Sequence, residues 1–195
     1  MTREANTWLD DALAALGALL QARGLHAELV VVGGASLLLH GVISRPTRDV
    51  DVLGGRSDAG GVLPMATLPP PLASAVADVG LALDLRQDWL NLGPAGLLKL
   101  GLPKGFAGRL APRTYGGLVV WLAAPEDLVY LTVYAAADHW PLRDRHMADL
   151  VALRPSARDL QAAAAWAQTH DPSPAFADNL TAMLAALSRE LGHGE

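Results

Sequence analysis

Residues Glu28–Val32 read ELVVV and run straight into Gly33 and Gly34. Three consecutive valines form a run too short for a helix and rich in β-branched side chains, which suits a buried strand closed by a tight turn. The residues that follow, from about Ala35 to Gly41, read as a helix, so the glycine pair joins a strand to a helix. Glycine there lets another group approach the backbone closely, and the amides opening a helix offer hydrogen bonds to an anion. The next segment, Arg45 to Leu53 (RPTRDVDVL), alternates Asp49, Val50, Asp51 and Val52. That is the period of a strand with one polar and one apolar face, and Gly54 and Gly55 are expected to stop it. Helix, strand, glycine turn, helix and strand in this order predict an α/β layer architecture.

The alternation puts the Asp49 and Asp51 carboxylates on one face of the second strand, beside the glycine turn. Two like charges held together need a counter-charge. A hard divalent cation such as Mg²⁺ takes carboxylate oxygens as ligands and bridges them to phosphate. The glycine turn would then offer a phosphate cradle beside a metal clamp formed by Asp49 and Asp51. Plainer readings stand beside this one: an ordinary strand-to-helix turn, solvated aspartates on an edge strand, Ser36 as a helix cap, and Arg45 and Arg48 as surface partners for the carboxylates.

With these residues the chain resembles the nucleotidyltransferase-fold superfamily of polymerase beta-like enzymes. The shared pattern is a hydrophobic strand, the Gly33–Gly34 pair, a helix, and then Asp49-Val50-Asp51. The fuller series Arg45, Thr47, Asp49, Asp51 looks like the Arg-x-Thr-x-Asp-x-Asp of AbiEii-type toxin nucleotidyltransferases and related small bacterial proteins. A weaker similarity runs through Pro125 to Leu153. The resemblance implies a small mixed sheet flanked by helices over residues 1–122, with a helical C-terminal region, 123–195, packed on it. It implies one or two Mg²⁺ ions on Asp49 and Asp51, and a nucleoside triphosphate held by Gly33, Gly34, Ser36, Arg45 and Thr47. The acceptor hydroxyl would belong to RNA such as tRNA, a protein or a small molecule, and a cognate antitoxin-like protein is an implied partner. Members often carry a third carboxylate on a later strand, for which Asp84 and then Asp88 are the nearest candidates. Thr132 stands where AbiEii-like members usually have Lys, and Lys99, Lys104, Arg109, Arg143 or Arg145 would have to substitute. Loss of both features would leave a nucleotide-binding or protein-interaction module without catalysis.

Elsewhere the periodicities are simpler. Trp8, Leu9, Leu13, Leu16, Leu19 and Leu20 mark one helix face between Asn6 and Arg23. The stretch from Arg56 to Pro71, with Gly60, Gly61, Pro64 and Pro69 to Pro71, reads as a loop leading into a helix over Leu72–Val79. Leu81–Asn91 fits either element, and Gly93–Arg113 mixes short apolar runs with Gly, Pro and the two lysines. Gly117–Leu122 reads as a buried strand, followed by helices over about 126–137, 143–153, 157–169 and 174–191.

The chain has 195 residues, of which 51% are hydrophobic and 18% charged, enough apolar matter for a core and far from the composition of a disordered segment. Its longest apolar or small run, Leu29–Leu39, is too short to span a bilayer. The net charge of −5 gives no global field for a nucleic-acid backbone, so any such partner must be met by a local patch. There is no cysteine, which excludes a thiol nucleophile, and the acidic, polar start MTREANTWLDD is unlike a signal peptide, so a cytoplasmic location is expected. Gly-x-Ser-x-Gly is absent, against a hydrolase triad. His139, His146 and Asp149 lack the spacing of a His-Glu-x-x-His zinc site and read as surface or capping residues. The five tryptophans are too scattered for a base-stacking platform.

Overall fold

The computed structural model of the chain describes residues 7–99 and 101–192. The first six residues, on which the reading of the N-terminus partly rests, lie outside the described set. The chain divides into two compact units, Met1–Ala124 and Pro125–Glu195.

In the first unit, α1 (Thr7–Ala22) precedes β1 (Ala27–Val32), α2 (Gly33–Leu39), β2 (Val50–Arg56), β3 (Val62–Leu63) and α3 (Pro70–Ala82). After these come β4 (Leu90–Asn91), two short 3₁₀ stretches (Gly93–Lys99 and Phe106–Gly108), β5 (Ala111–Tyr115) and β6 (Leu118–Leu122). The strands form one mixed sheet in the order β3-β2-β1-β6-β5, with β4 also on β2. β1 runs parallel to β6 and antiparallel to β2. One face of this sheet carries Leu29, Val31, Val50, Val52, Leu118, Val120 and Leu122, which share a core with Leu9, Leu13, Leu16 and Leu20 of α1 and Leu72, Val76 and Val79 of α3. Burying such an apolar layer is the main favourable term holding the unit together.

The strand, glycine turn and helix read from the sequence are all present, with α2 starting at Gly33 itself. The second strand differs from its expected limits. It begins at Val50, which leaves Arg45, Thr47 and Asp49 in the loop before it, and it continues through Gly54 and Gly55 instead of stopping there. The reason is tertiary. A Cβ at Gly54 would overlap the Leu63 carbonyl, so glycine is what lets β3 close on β2. The β1–β2 register also slips between Val30 and Val31, a bulge beside Asp51 of the kind that re-aims nearby side chains. The segment read as an unbroken loop, Arg56–Pro71, contains β3, and the ambiguous stretch ending at Asn91 contains β4.

The second unit is helical: α4 (Pro125–Asp138), α5 (Arg145–Leu153), α6 (Ala157–His170) and α7 (Pro174–Leu191). Val129, Val133, Met147, Leu150, Leu160, Phe176, Leu180 and Met183 form its own core. Three helices start on side-chain caps: Asp144 accepts from the His146 N–H, Ser156 and Asp159 form a reciprocal capping box, and Ser173 accepts from the Phe176 N–H. Burial holds the His146 imidazole below its ordinary pKa, against the opposing pull of Asp144. Burial pushes the Asp144 carboxyl up, but hydrogen bonds from His139 and the His146 N–H, with the charges of both imidazoles, outweigh it and leave it below the usual carboxylate range. Among the described residues no helix is long and apolar enough to cross a membrane.

Candidate functional site

The β1–β2 register pairs Val32 with Asp51. Opposite residues of an antiparallel pair project to the same face, so the Asp51 side chain stands where β1 gives way to the glycine turn. Gly33 has φ of +64°, and a Cβ there would sit 2.7 Å from Asp51 Oδ2. The carboxylate occupies the room that the missing side chain leaves, and a positive φ is disfavoured for every residue with a Cβ. Gly33 is therefore favoured by its backbone, and a side chain there would also have to move Asp51 Oδ2.

Gly34 is approached from the other side. A Cβ on it would lie 3.1 Å from Thr47 Oγ1 and 3.7 Å from an Arg45 guanidinium nitrogen. Thr47 is buried; its hydroxyl donates to the Asp49 carbonyl at 3.2 Å, and its own carbonyl accepts from Trp8 Nε1 at 3.1 Å. These bonds fix the loop that carries Arg45 and Asp49. Gly33, Gly34, Arg45, Thr47 and Asp51, separated by up to eighteen positions in the chain, thus meet at one turn. Asp49 stands two residues before Asp51, half-buried, in the loop and not on the strand. Its charge reaches as far as the exposed Arg86, whose pKa is raised chiefly by its hydrogen bond to Asp88 and only slightly by Asp49.

Ser36 is placed differently from a phosphate ligand. It is fully buried, and its hydroxyl donates to the Ala123 carbonyl at 3.1 Å, an oxygen that also accepts from His40 Nε2 at 3.0 Å. Its polar group is committed to anchoring α2 to the end of β6.

Asp84 sits in an exposed turn after α3 with φ of +52°, and Asp88 is held in a two-pronged pair by Arg86 at 2.9 and 2.7 Å. The strand that reaches Asp51 is β4, where Val50 pairs with Leu90 and Asp51 with Asn91. Residues in register on parallel strands share a face, so the neighbour of Asp51 is Asn91, a neutral amide whose Oδ1 accepts from the Gly93 N–H at 2.8 Å. The sequence reading passed over Asn91 because a two-residue strand leaves no periodicity to detect.

Lys99 and Lys104 are exposed, and Arg109 donates to the Lys104 carbonyl at 3.0 Å. Arg143, in the second unit, pairs with Glu190 at 2.7 Å, and Thr132 is buried in α4. Arg45 is a cation that the contacts within the first unit bring to the glycine turn.

A strand, a glycine turn that receives a carboxylate, and an Asp-x-Asp at the start of the neighbouring strand make a specific combination. Residues 11–139, more than half of the chain, match the family model described as nucleotidyltransferase of unknown function, DUF6036. The chain belongs to that family. The match takes in the glycine turn, both aspartates, β4 and the whole of α4. It places this DUF6036 member in the nucleotidyltransferase-like superfamily, and its mixed sheet with C-terminal helices accords with that fold. No curated protein and no solved structure matches the chain.

Proposed function

We propose that this DUF6036 protein binds a nucleoside triphosphate together with Mg²⁺ at the glycine turn and transfers a nucleoside monophosphate to a hydroxyl acceptor. The observation that carries the reading is the seating of Asp51 Oδ2 against Gly33, with Asp49 two residues away. The donor set fits the ion: Mg²⁺ is commonly held by one or two carboxylates, with substrate phosphates and water completing the shell. When bound, it neutralises phosphate charge and orients the reacting oxygens. The chain's own groups do the rest. Gly33 and Gly34 keep side chains away from the backbone so that phosphate can approach it, and the Arg45 guanidinium adds a fixed positive charge beside Gly34. In the transfer, the acceptor oxygen bonds to the α-phosphorus as the bond to the leaving pyrophosphate breaks. The hydroxyl proton passes to solvent, because Asn91 cannot take it.

Incubation with α-labelled nucleoside triphosphates, Mg²⁺ and RNA or protein acceptors tests this directly. Label transferred with stoichiometric pyrophosphate, and lost in Asp49→Asn, is the expected result. Triphosphate binding without pyrophosphate release for any acceptor would contradict transfer.

Asn91 supports a second reading, a nucleotide-binding module of the same fold that has lost catalysis. It would act through a protein partner, for instance in a pair of toxin–antitoxin type. That form keeps triphosphate binding and yields no pyrophosphate.

A further inference from the structure

The helical unit holds a cluster of ligating groups of its own. His139 follows the last residue of α4, Asp144 caps α5, and His146 is the second residue of α5. His139 Nδ1 and Asp144 Oδ2 are 2.7 Å apart, and His146 Nε2 lies 3.9 Å from the same oxygen. The two imidazole centroids are 5.0 Å apart, and one ligand atom from each of the three residues lies within 4.8 Å of the other two.

A carboxylate with two imidazoles turned toward one of its oxygens is a donor set with a preference. Nitrogen ligands mixed with a single carboxylate favour Zn²⁺ and its neighbours, whereas Mg²⁺ prefers oxygen throughout. Bond lengths of about 2.0–2.2 Å in a tetrahedron separate ligand atoms by about 3.3–3.5 Å. The observed separations bracket that range, so small side-chain rotations suffice. The carboxylate is also aimed: its Oδ1 is tied to the His146 N–H at 2.9 Å, which leaves Oδ2 to face the imidazoles. Such outer support of a ligand is a regular feature of metal sites. The His139 side chain is 46% exposed and those of Asp144 and His146 are 29% and 18% exposed, so an ion can enter from solvent and keep a water as its fourth ligand.

We infer that His139, Asp144 and His146 form a three-ligand Zn²⁺ site that clips the end of α4 to the start of α5. The ion takes the place of the proton shared by His139 Nδ1 and Asp144 Oδ2, and that proton is released to solvent. The sequence reads His139, His146 and Asp149 as surface or capping residues; Asp149 is instead 4% exposed on α5, and Asp144 is the carboxylate that stands beside the two imidazoles.

The test is a Zn²⁺ titration of the chelator-treated full chain, followed by calorimetry, with Co²⁺ as a spectroscopic substitute. One ion per chain is expected, with visible Co²⁺ bands of tetrahedral intensity. His139→Gln, at an exposed position that should not disturb folding, and His146→Gln should each weaken Zn²⁺ binding by about tenfold or more and abolish the Co²⁺ bands. Asp51→Asn should leave both unchanged. Absence of a stoichiometric ion, wild-type affinity in His139→Gln, or loss of Zn²⁺ binding in Asp51→Asn would overturn the assignment.

Discussion

Asn91 lies in register beside Asp51 across the parallel β4–β2 pair, so the strand neighbour of the site's central carboxylate is uncharged. The site therefore concentrates its negative charge in Asp49 and Asp51, with Arg45 close to the same turn. Under the proposed function, the cation that this arrangement would take arrives with its own anionic ligands, as a metal triphosphate does.

Asn91→Asp should strengthen the site for metal. A further carboxylate raises the ligand charge, and the expected gain in Mg²⁺ affinity with triphosphate present is about tenfold, or ~1.4 kcal/mol. The Mg²⁺ midpoint of nucleotide-induced thermal stabilisation reads this out. An unchanged midpoint would mean that residue 91 does not reach the ion.

Gly33→Ala should cost about 1–2 kcal/mol through its left-handed backbone alone, and more because its Cβ must displace Asp51 Oδ2 from 2.7 Å. Gly34→Ala meets Thr47 Oγ1 at 3.1 Å without a positive φ and should cost less. Urea unfolding of the pair checks the order; equal losses would contradict the close seating of Asp51.

Ser36→Ala separates a fold contact from a ligand contact. Losing the bond to Ala123 should cost about 1 kcal/mol, softened because His40 still donates to that carbonyl. Triphosphate affinity should not change. A large loss of affinity in a stably folded variant would put the Ser36 hydroxyl in the nucleotide site after all.

Burial and the hydrogen bond to Asp10 Oδ1 push the Tyr115 hydroxyl up to about 12. A raised folded-state value means that the associated stability is present below the unfolded value near 10 and is lost as pH rises through about 12. An alkaline absorbance titration of wild type against Tyr115→Phe should show this residue ionising late. Ionisation at the ordinary tyrosine value while the protein remains folded would contradict it.

Local chemistry made much of this legible. The valine run of β1, the glycine pair and the leucine face of α1 each carry their structure in a few adjacent residues. Gly54 misled because its role lies across the sheet, where β3 needs close approach. Asp49 fell outside its strand because the alternation Asp-Val-Asp does not say where pairing begins. Asn91 was invisible, since only the register with Asp51 gives it meaning. Asp149 reads as a surface or capping residue and is buried, because the sequence does not show which face of α5 packs inward.

The most direct test of the nucleotide site is thermal stabilisation by each of the four nucleoside triphosphates, with and without Mg²⁺, on wild type and Asp51→Asn. Binding to the native state raises apparent stability by mass action and requires no knowledge of the acceptor. We expect a Mg²⁺-dependent shift in the wild type, absent in Asp51→Asn, whose own stability should stay within about 0.5 kcal/mol of wild type. No shift with any triphosphate, or an equal shift in the variant, would contradict the account.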